Sequence, residues 1–380
     1  MEELPEIKET IENLKVLILD KTAIKELPSS LHRLAGLEAL SLQSCTKLKN
    51  IPSSIGNLSK LIKLNLANCV SLETFPSSIF KLKLTRLDFK GCSMLWTFPE
   101  ISNDIGRLSS LTELSLQGSS IVNLPESMAQ LSSLKSLNIS DCTLLECVPK
   151  LPPNLNQFLA FDCPSIKRMV LNSRSASKKG TFQFHLTNNQ ELDATSWSNI
   201  GDEACIKITD DAYRSVFFCF SGSAVPCWFH YYCKGNSVTM KKDSPNVCSK
   251  NRLTGFALCV VLGREDMDDT RTGYTRFAYN FGFISDGDIH CSYNSMPENY
   301  LNWSCRDRFL NHDHTFLWKH RFDLERIGNT LFHAQNFTFE ILVDDLGRLS
   351  CDSTTTVKEC GICPLYTKGN DDDDDDDEDD

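Results

Sequence analysis

A solenoid of α/β leucine-rich repeats, followed by an all-β sandwich and an acidic tail, is the architecture this sequence predicts. Three observations predict it. The pattern Leu-x-x-Leu-x-Leu-x-x-Cys recurs through the first 170 residues. Aromatic and β-branched runs broken by Gly, Pro, Asn and Asp fill residues 214–368. Residues 371–380 are all Asp or Glu. A period of about 20–29 residues with this leucine spacing lays down one short parallel strand and one looser return segment per unit.

The repeats come first. Leu37-Leu40-Leu42-Cys45, Leu61-Leu64-Leu66-Cys69, Leu84-Leu87-Phe89-Cys92, Leu134-Leu137-Ile139-Cys142 and the degenerate Leu155-Phe158-Ala160-Cys163 are the clear units. Leu14-Leu17-Leu19 and Leu111-Leu114-Leu116 put Thr22 and Ser119 in the cysteine slot. Unit starts are separated by 23, 24, 23, 27, 23 and 21 residues, which gives about seven units over residues 1–170. Strand side chains alternate, so the leucines point into the solenoid and the residues between them point out. The outward positions are Ile18, Asp20, Ser41, Gln43, Asn65, Ala67, Asp88, Lys90, Ser115, Gln117, Asn138 and Ser140. Small and amide-bearing side chains dominate there. Repeat proteins bind through such faces, which makes Ser41, Gln43, Asn65, Asp88, Lys90, Ser115, Gln117 and Asn138 candidate partner-binding residues; the alternative is a solvated face with no specific partner.

The return segments repeat as well: Leu27-Pro28, Ile51-Pro52, Phe75-Pro76, Phe98-Pro99, Leu124-Pro125 and Val148-Pro149. Proline fixes φ and removes a donor, which suits an extended back wall rather than a helix. Leu151-Pro152-Pro153-Asn154-Leu155 leads into a short last unit that reads as a cap. Residues 1–13 enter the rhythm directly, with Glu6-Ile7-Lys8-Glu9-Thr10 resembling mid-unit sequence. Solenoids need polar terminal units, so the expectation is an uncapped N-terminal end, with Met1 opening a fragment or truncated product.

Residues 171–213 read as a polar, basic joint followed by a short helix near 197–212. Beyond them, Phe277, Tyr279, Phe281 and Phe283 alternate along one predicted strand, and Phe337, Phe339, Ile341 and Val343 along another. Leu253–Leu262 is apolar enough for a central strand buried on both faces. Many short strands without a helical period predict a β-sandwich over 214–368. Residues 369–380 carry a run of like charge that self-repels and is expected to stay disordered.

Composition limits the function. The net charge is −11, of which the last ten residues supply −10, leaving a body close to neutral and no broad nucleic-acid-binding face. No secretory signal is visible at Met1–Pro5, so none is expected, and no apolar run approaches bilayer length. Five of the 17 cysteines occupy the repeat slot and the others show no pairing rhythm, as expected for reduced thiols in the cytoplasm or nucleus.

Ser221-Gly222-Ser223-Ala224-Val225-Pro226-Cys227-Trp228-Phe229, Gly235-Asn236-Ser237-Val238-Thr239 and Gly255-Phe256-Ala257-Leu258-Cys259 follow one another in order. Asp313-His314-Thr315-Phe316-Leu317-Trp318 and Val357-Lys358-Glu359-Cys360-Gly361-Ile362 come after them. This series resembles the C-terminal jelly-roll/Ig-like domain, or C-JID, of plant TIR-type intracellular immune receptors. The Leu-Pro-Ser-Ser repeats are similar to the repeat region of the same family, so the resemblance spans nearly the whole chain apart from the tail. It implies a sensor region that contacts a pathogen effector protein, with TIR-type receptor subunits as a second class of partner. The alternative it leaves open is an accessory or decoy protein that binds a receptor or effector without signalling. The loop from Arg264 to Arg276, which also holds Asp266, Asp268, Asp269 and Arg271, is the candidate contact in the sandwich, where charge selects partners; its alternative is an ordinary hydrophilic hairpin.

Catalytic chemistry is not expected. The family's NAD-cleaving TIR domain and nucleotide switch do not lie in these 380 residues, and no phosphate-loop motif occurs. Cys360-Gly361-Ile362-Cys363 lacks a second cysteine pair at zinc spacing and reads as a strand. His312-Asp313-His314 reads as loop polarity rather than a metal site. No cofactor, metal, nucleic acid or membrane partner is expected.

Overall fold

A computed structural model of the chain describes residues 2–99, 110–171, 180–241, 251–264, 274–285, 288–295, 312–321, 334–346 and 355–368. It divides into two compact units, Met1–Ala204 and Cys205–Asp380.

In the first unit each repeat contributes one short strand. The series is β1 (Val16–Ile18), β2 (Ala39–Ser41), β3 (Lys63–Asn65), β4 (Arg86–Asp88), β5 (Glu113–Ser115), β6 (Ser136–Asn138), β8 (Gln157–Phe161) and β10 (Gly180–Thr187). These strands pair in parallel in that order. Two-residue strands β7 (Cys147–Val148) and β9 (Arg168–Met169) pair behind them. The register aligns Leu40, Leu64, Leu87, Leu114, Leu137, Phe158 and Phe184, all buried, as one apolar spine. Phenylalanines fill the wider rungs: Phe75 stacks on Phe89 at 4.6 Å between ring centroids, and Phe158 on Phe184 at 5.1 Å.

β10 carries the repeat further than the sequence reading did. Gly180–Thr187 falls within the stretch expected to be a joint, yet it lies in parallel register with β8. Its apolar set is Phe182, Phe184 and Leu186, with Asn189 in the slot that cysteine holds elsewhere. Asn189 Nδ2 donates to the carbonyls of Cys163 (2.8 Å) and Ile166 (3.0 Å). A helix, α1 (Ala194–Thr209), follows. Asp193 Oδ1 accepts the Ser196 amide at 2.7 Å, an N-terminal cap, and Ser196 Oγ accepts the Met169 amide at 3.0 Å, which ties the helix start to β9.

Behind the strands, proline starts a turn rather than a continuous extended wall. Pro28, Pro52, Pro76 and Pro125 are extended and each precedes a five-residue 3₁₀ turn, the first being Ser29–Arg33. The proline carbonyl accepts the amide three residues on, at 3.0–3.1 Å. Residues 2–13 run beside the first return segment: Ile11 N donates to Arg33 O at 2.8 Å and Lys25 N to Glu2 O at 3.1 Å.

The second unit is built from antiparallel strands: β11 (Tyr213–Ser221), β12 (Tyr231–Lys234), β13 (Ser237–Lys241), β14 (Asn251–Arg264), β15 (Tyr274–Ser285), β16 (Asp288–Ser295), β17 (His314–Arg321), β18 (Ala334–Leu346) and β19 (Thr355–Lys368). One sheet runs β11-β17-β14-β19-β12, the other β13-β18-β15-β16. Phe256, Leu258 and Val260 of β14 share a core with Tyr279 and Phe281 of β15 and with Phe337 and Phe339 of β18. Gly255 sits where the β14–β19 register shifts, with the His320 carbonyl packed where a Cβ would stand, so this bulge requires glycine. A Cβ on Gly361 of β19 would stand 3.0 Å from Val225 and 3.1 Å from Phe229, whose side chains pack closely over that backbone.

Candidate interaction face

The strand face of the repeats is assembled by three devices that recur from unit to unit. First, the slot cysteine fixes the turn after each strand. Cys45, Cys69, Cys92, Cys142 and Cys163 each donate a thiol hydrogen bond of 3.1 Å to a carbonyl of the preceding unit. Burial pushes the Cys69 thiol up to about 12 and raises Cys92, Cys142 and Cys163 as well, so these groups stay protonated donors.

Second, the residue before each slot has a left-handed backbone: Lys21, Ser44, Asn68, Gly91, Gly118, Asp141, Asp162 and Asn188, with φ between 53° and 74°. That conformation reverses the chain after each strand and favours Gly, Asn and Asp. Third, the carboxyl or amide oxygen of Asn65, Asp88 and Asn138 accepts the backbone amide two residues on, at 3.0 Å in each case. Side chains on the face are therefore held in defined orientations.

The expected face residues fall into two hydrogen-bonded wings, each built of amides and hydroxyls around one aspartate, on either side of a centre with charges of both signs. In the first wing Ser41 Oγ donates to Asp20 at 2.6 Å, the Gln43 amide donates to the same oxygen at 2.9 Å, and Asn65 Nδ2 reaches Gln43 Oε1 at 3.5 Å. In the second, Asn138 Nδ2 donates to Gln117 Oε1 at 3.3 Å, whose Nε2 donates to Asp141 at 2.9 Å. Between them Arg86 lies 3.5 Å from Asp88 and 3.3 Å from Glu113, with Lys90 exposed beside it. Ser115 aligns with Asp88 and Asn138 on the neighbouring strands.

Sequence reasoning missed Arg86 and Glu113, which occupy the first outward position of their strands. It also missed the chain Ser136–Gln157–Gln183, joined at 2.8 and 3.0 Å. The same two-residue alternation that marked the third strand position marks the first, so the signal was present. Ile18, 65% exposed, and Val16, 54% exposed, put apolar surface on the face at β1.

Of the sandwich candidates, Arg264 and Arg276 fall among the described residues. Arg264 is the last residue of β14, and Arg276 is the third residue of β15, opposite Asp344, rather than part of the connection. Asp266, Asp268, Asp269 and Arg271 lie outside the described residues. The connection joins strands of two different sheets and is not a hairpin.

His312 and His314 form a closed hydrogen-bond circuit with Ser221. His314 Nδ1 donates to the His312 carbonyl at 2.7 Å, so its Nε2 accepts from Ser221 Oγ at 3.3 Å, while His312 Nε2 donates to the same hydroxyl at 3.0 Å. Burial pulls His314 down to about 4, which keeps the acceptor nitrogen bare. Among the described residues no cluster of three or more His, Cys, Asp or Glu is placed to hold a metal ion, and no helix is long and apolar enough to cross a membrane.

Comparison with known proteins gives two family matches. The family described as "Disease resistance protein RPS4B-like, leucine-rich repeats" matches residues 1–152, and the C-JID domain matches residues 220–371. Disease resistance-like protein DSC1 of Arabidopsis thaliana is 26% identical over 98% of this chain and 30% of its own length. Disease resistance protein RPS4B is 32% identical over 68% of this chain and 22% of its own, and disease resistance-like protein CSA1 is 34% identical over 80% and 26%. Both are also from Arabidopsis thaliana. The chain thus spans 22–30% of the length of these relatives.

Proposed function

Because the chain joins the leucine-rich-repeat region and the C-JID domain of the C-terminal part of plant TIR-NBS-LRR disease resistance proteins, we propose that it is a sensor region that recognises a pathogen effector protein by direct contact. Its place of action is the cytoplasm or nucleus. It acts by binding, and any NAD hydrolysis belongs to a TIR domain of the same receptor class.

The observation that carries this reading is the strand face itself. Its wings present amide and hydroxyl groups already oriented by one another, from Asp20 to Asn65 and from Gln117 to Asp141. The amides and hydroxyls cost less to desolvate than ions, the one aspartate of each wing already accepts hydrogen bonds from its neighbours, and groups held in place lose little freedom on binding. The charged centre at Arg86, Asp88, Lys90 and Glu113 adds selectivity for the sign pattern of the partner. A stable complex buries about 1,600 Å² in total, an area that several adjacent units supply together.

The test is binding of the purified chain to a panel of secreted effectors from a plant pathogen, with Asn65→Lys plus Gln117→Lys as the face variant. The expected result is one effector bound by the wild-type chain and lost, by tenfold or more in Kd, in the variant. Equal binding by both proteins would remove the face from recognition.

A further inference from the structure

The cysteine motif at 360–363 divides between the two sides of a strand. Cys360 and Cys363 are three residues apart on β19, and an odd separation on a strand sends side chains to opposite faces. They are not partners for each other. Cys360 points into the core of the second unit, whereas Cys363 is half-exposed.

Cys360 has a different neighbour. β12 pairs with β19 so that Cys233 stands directly opposite Cys360. Opposed Cα atoms in an antiparallel pair are about 4.5–5.5 Å apart, within the roughly 4.4–6.8 Å that a disulfide spans. The two thiols interact with each other, and Cys233 packs against the core cluster to which Cys360 belongs. β12 is only four residues long and is an edge strand, so Cys233 is half-buried while Cys360 is covered. The Cys233 thiol also donates to the Ser237 carbonyl at 2.6 Å, across the turn at Gly235 and Asn236.

We propose that Cys233 and Cys360 are an oxidant-responsive pair that closes a cross-strand disulfide between β12 and β19 when the protein meets a peroxide. Cys233, the more accessible thiol, attacks hydrogen peroxide, breaking the O–O bond to give a sulfenic acid and one water. The Cys360 sulfur then attacks the Cys233 sulfur, its proton leaves with the hydroxyl as a second water, and the S–S bond forms. Two thiols lose two electrons and two hydrogens, and one peroxide becomes two waters. A low-molecular-weight thiol reverses the step by exchange. The bond pins the edge strand and the turn that leads into β13. This inference is independent of the binding face on the repeats.

The experiment treats the full chain with hydrogen peroxide, alkylates the remaining thiols, digests with trypsin and maps the products by mass spectrometry. The expected product is a linked pair of peptides, 215–234 and 359–368, lighter by two hydrogens than the sum of the two alkylated at Cys219, Cys227 and Cys363, and separated by dithiothreitol. Fragmentation places the bond at Cys233 and Cys360. The product persists in Cys227→Ser and Cys363→Ser and disappears in Cys360→Ser. The wild-type map alone decides the matter if a variant fails to fold. A bond through Cys219, Cys227 or Cys363, or oxidation of Cys233 to sulfonic acid without a linked product, would overturn the proposal.

Discussion

Single side chains in this protein are constrained by the rung above as much as by their own turn. The slot cysteines show this: each thiol satisfies a carbonyl one repeat away, and Ser119 fills the same place beside Cys142 with its hydroxyl 3.5 Å from the sulfur. Cys92→Ser, which keeps a donor, should cost about 1 kcal/mol or less. Cys92→Leu, which overfills a buried turn, should cost about 1–3 kcal/mol. Urea unfolding of the two variants measures the difference. Histidine sets the acid limit in the same local manner. Burial lowers His185 to about 3 and His314 and His320 to about 4. An unfolded histidine titrates near the ordinary value of about 6.5, so below that pH the unfolded chain binds more protons than the folded one. The stabilisation these groups provide is complete above about 6.5 and declines as pH falls toward 4. The urea midpoint should therefore drop steadily between pH 7 and pH 4.5, and His314→Asn should flatten part of that slope. A midpoint that holds constant over this range would contradict the assignment.

The strand and its turn were legible wherever leucine and cysteine kept their places. The spacing alone located β1 to β6 and β8, because burying a side chain on alternate positions leaves its mark on composition. The last rung was not legible by that route. Thr181 and Phe184 stand where the first two leucines would, Asn189 replaces cysteine, and a polar basic stretch separates β10 from the preceding unit. Packing and an amide that bonds two carbonyls maintain the rung without the usual letters. Asn189→Ala removes the amide donor shared by both carbonyls, leaving that of Cys163 only a long bond of 3.4 Å from Ile166 N, and should cost about 1–3 kcal/mol, read as a lower thermal midpoint. The turn residue before the slot was equally hidden, since Lys21, Ser44, Gly91 and Asp141 share a backbone angle but no chemistry. At Gly91, φ is 74° and an added Cβ would press on Asn68. Gly91→Ala should therefore destabilise by about 1–2 kcal/mol, whereas Asn68→Gly should be close to neutral. Equal effects of these two substitutions in urea titrations would show that the turn does not demand the left-handed conformation.

Taken across the whole chain, the sequence pattern identified which positions look outward but not how they are joined. Alternation gave Ser41, Gln43, Asn65, Gln117 and Asn138, whereas the hydrogen-bond wings and the Arg86–Glu113 pair depend on contacts between residues 21 to 27 positions apart. The wings make the face a preorganised surface of amides and hydroxyls with fixed charges at known places, and the relatives place the chain in the C-terminal region of disease resistance proteins. Partner recognition through that surface is the central claim. The most direct measurement compares the affinity of one effector for three proteins: the wild-type chain, Asn65→Lys/Gln117→Lys on the face, and Ser53→Lys/Glu126→Lys at exposed positions of the 3₁₀ turns behind it. Far-ultraviolet circular dichroism checks that each is folded. The account predicts at least a tenfold loss for the face variant and less than a twofold change for the back variant. Loss confined to the back variant, or unchanged affinity in both, would contradict it.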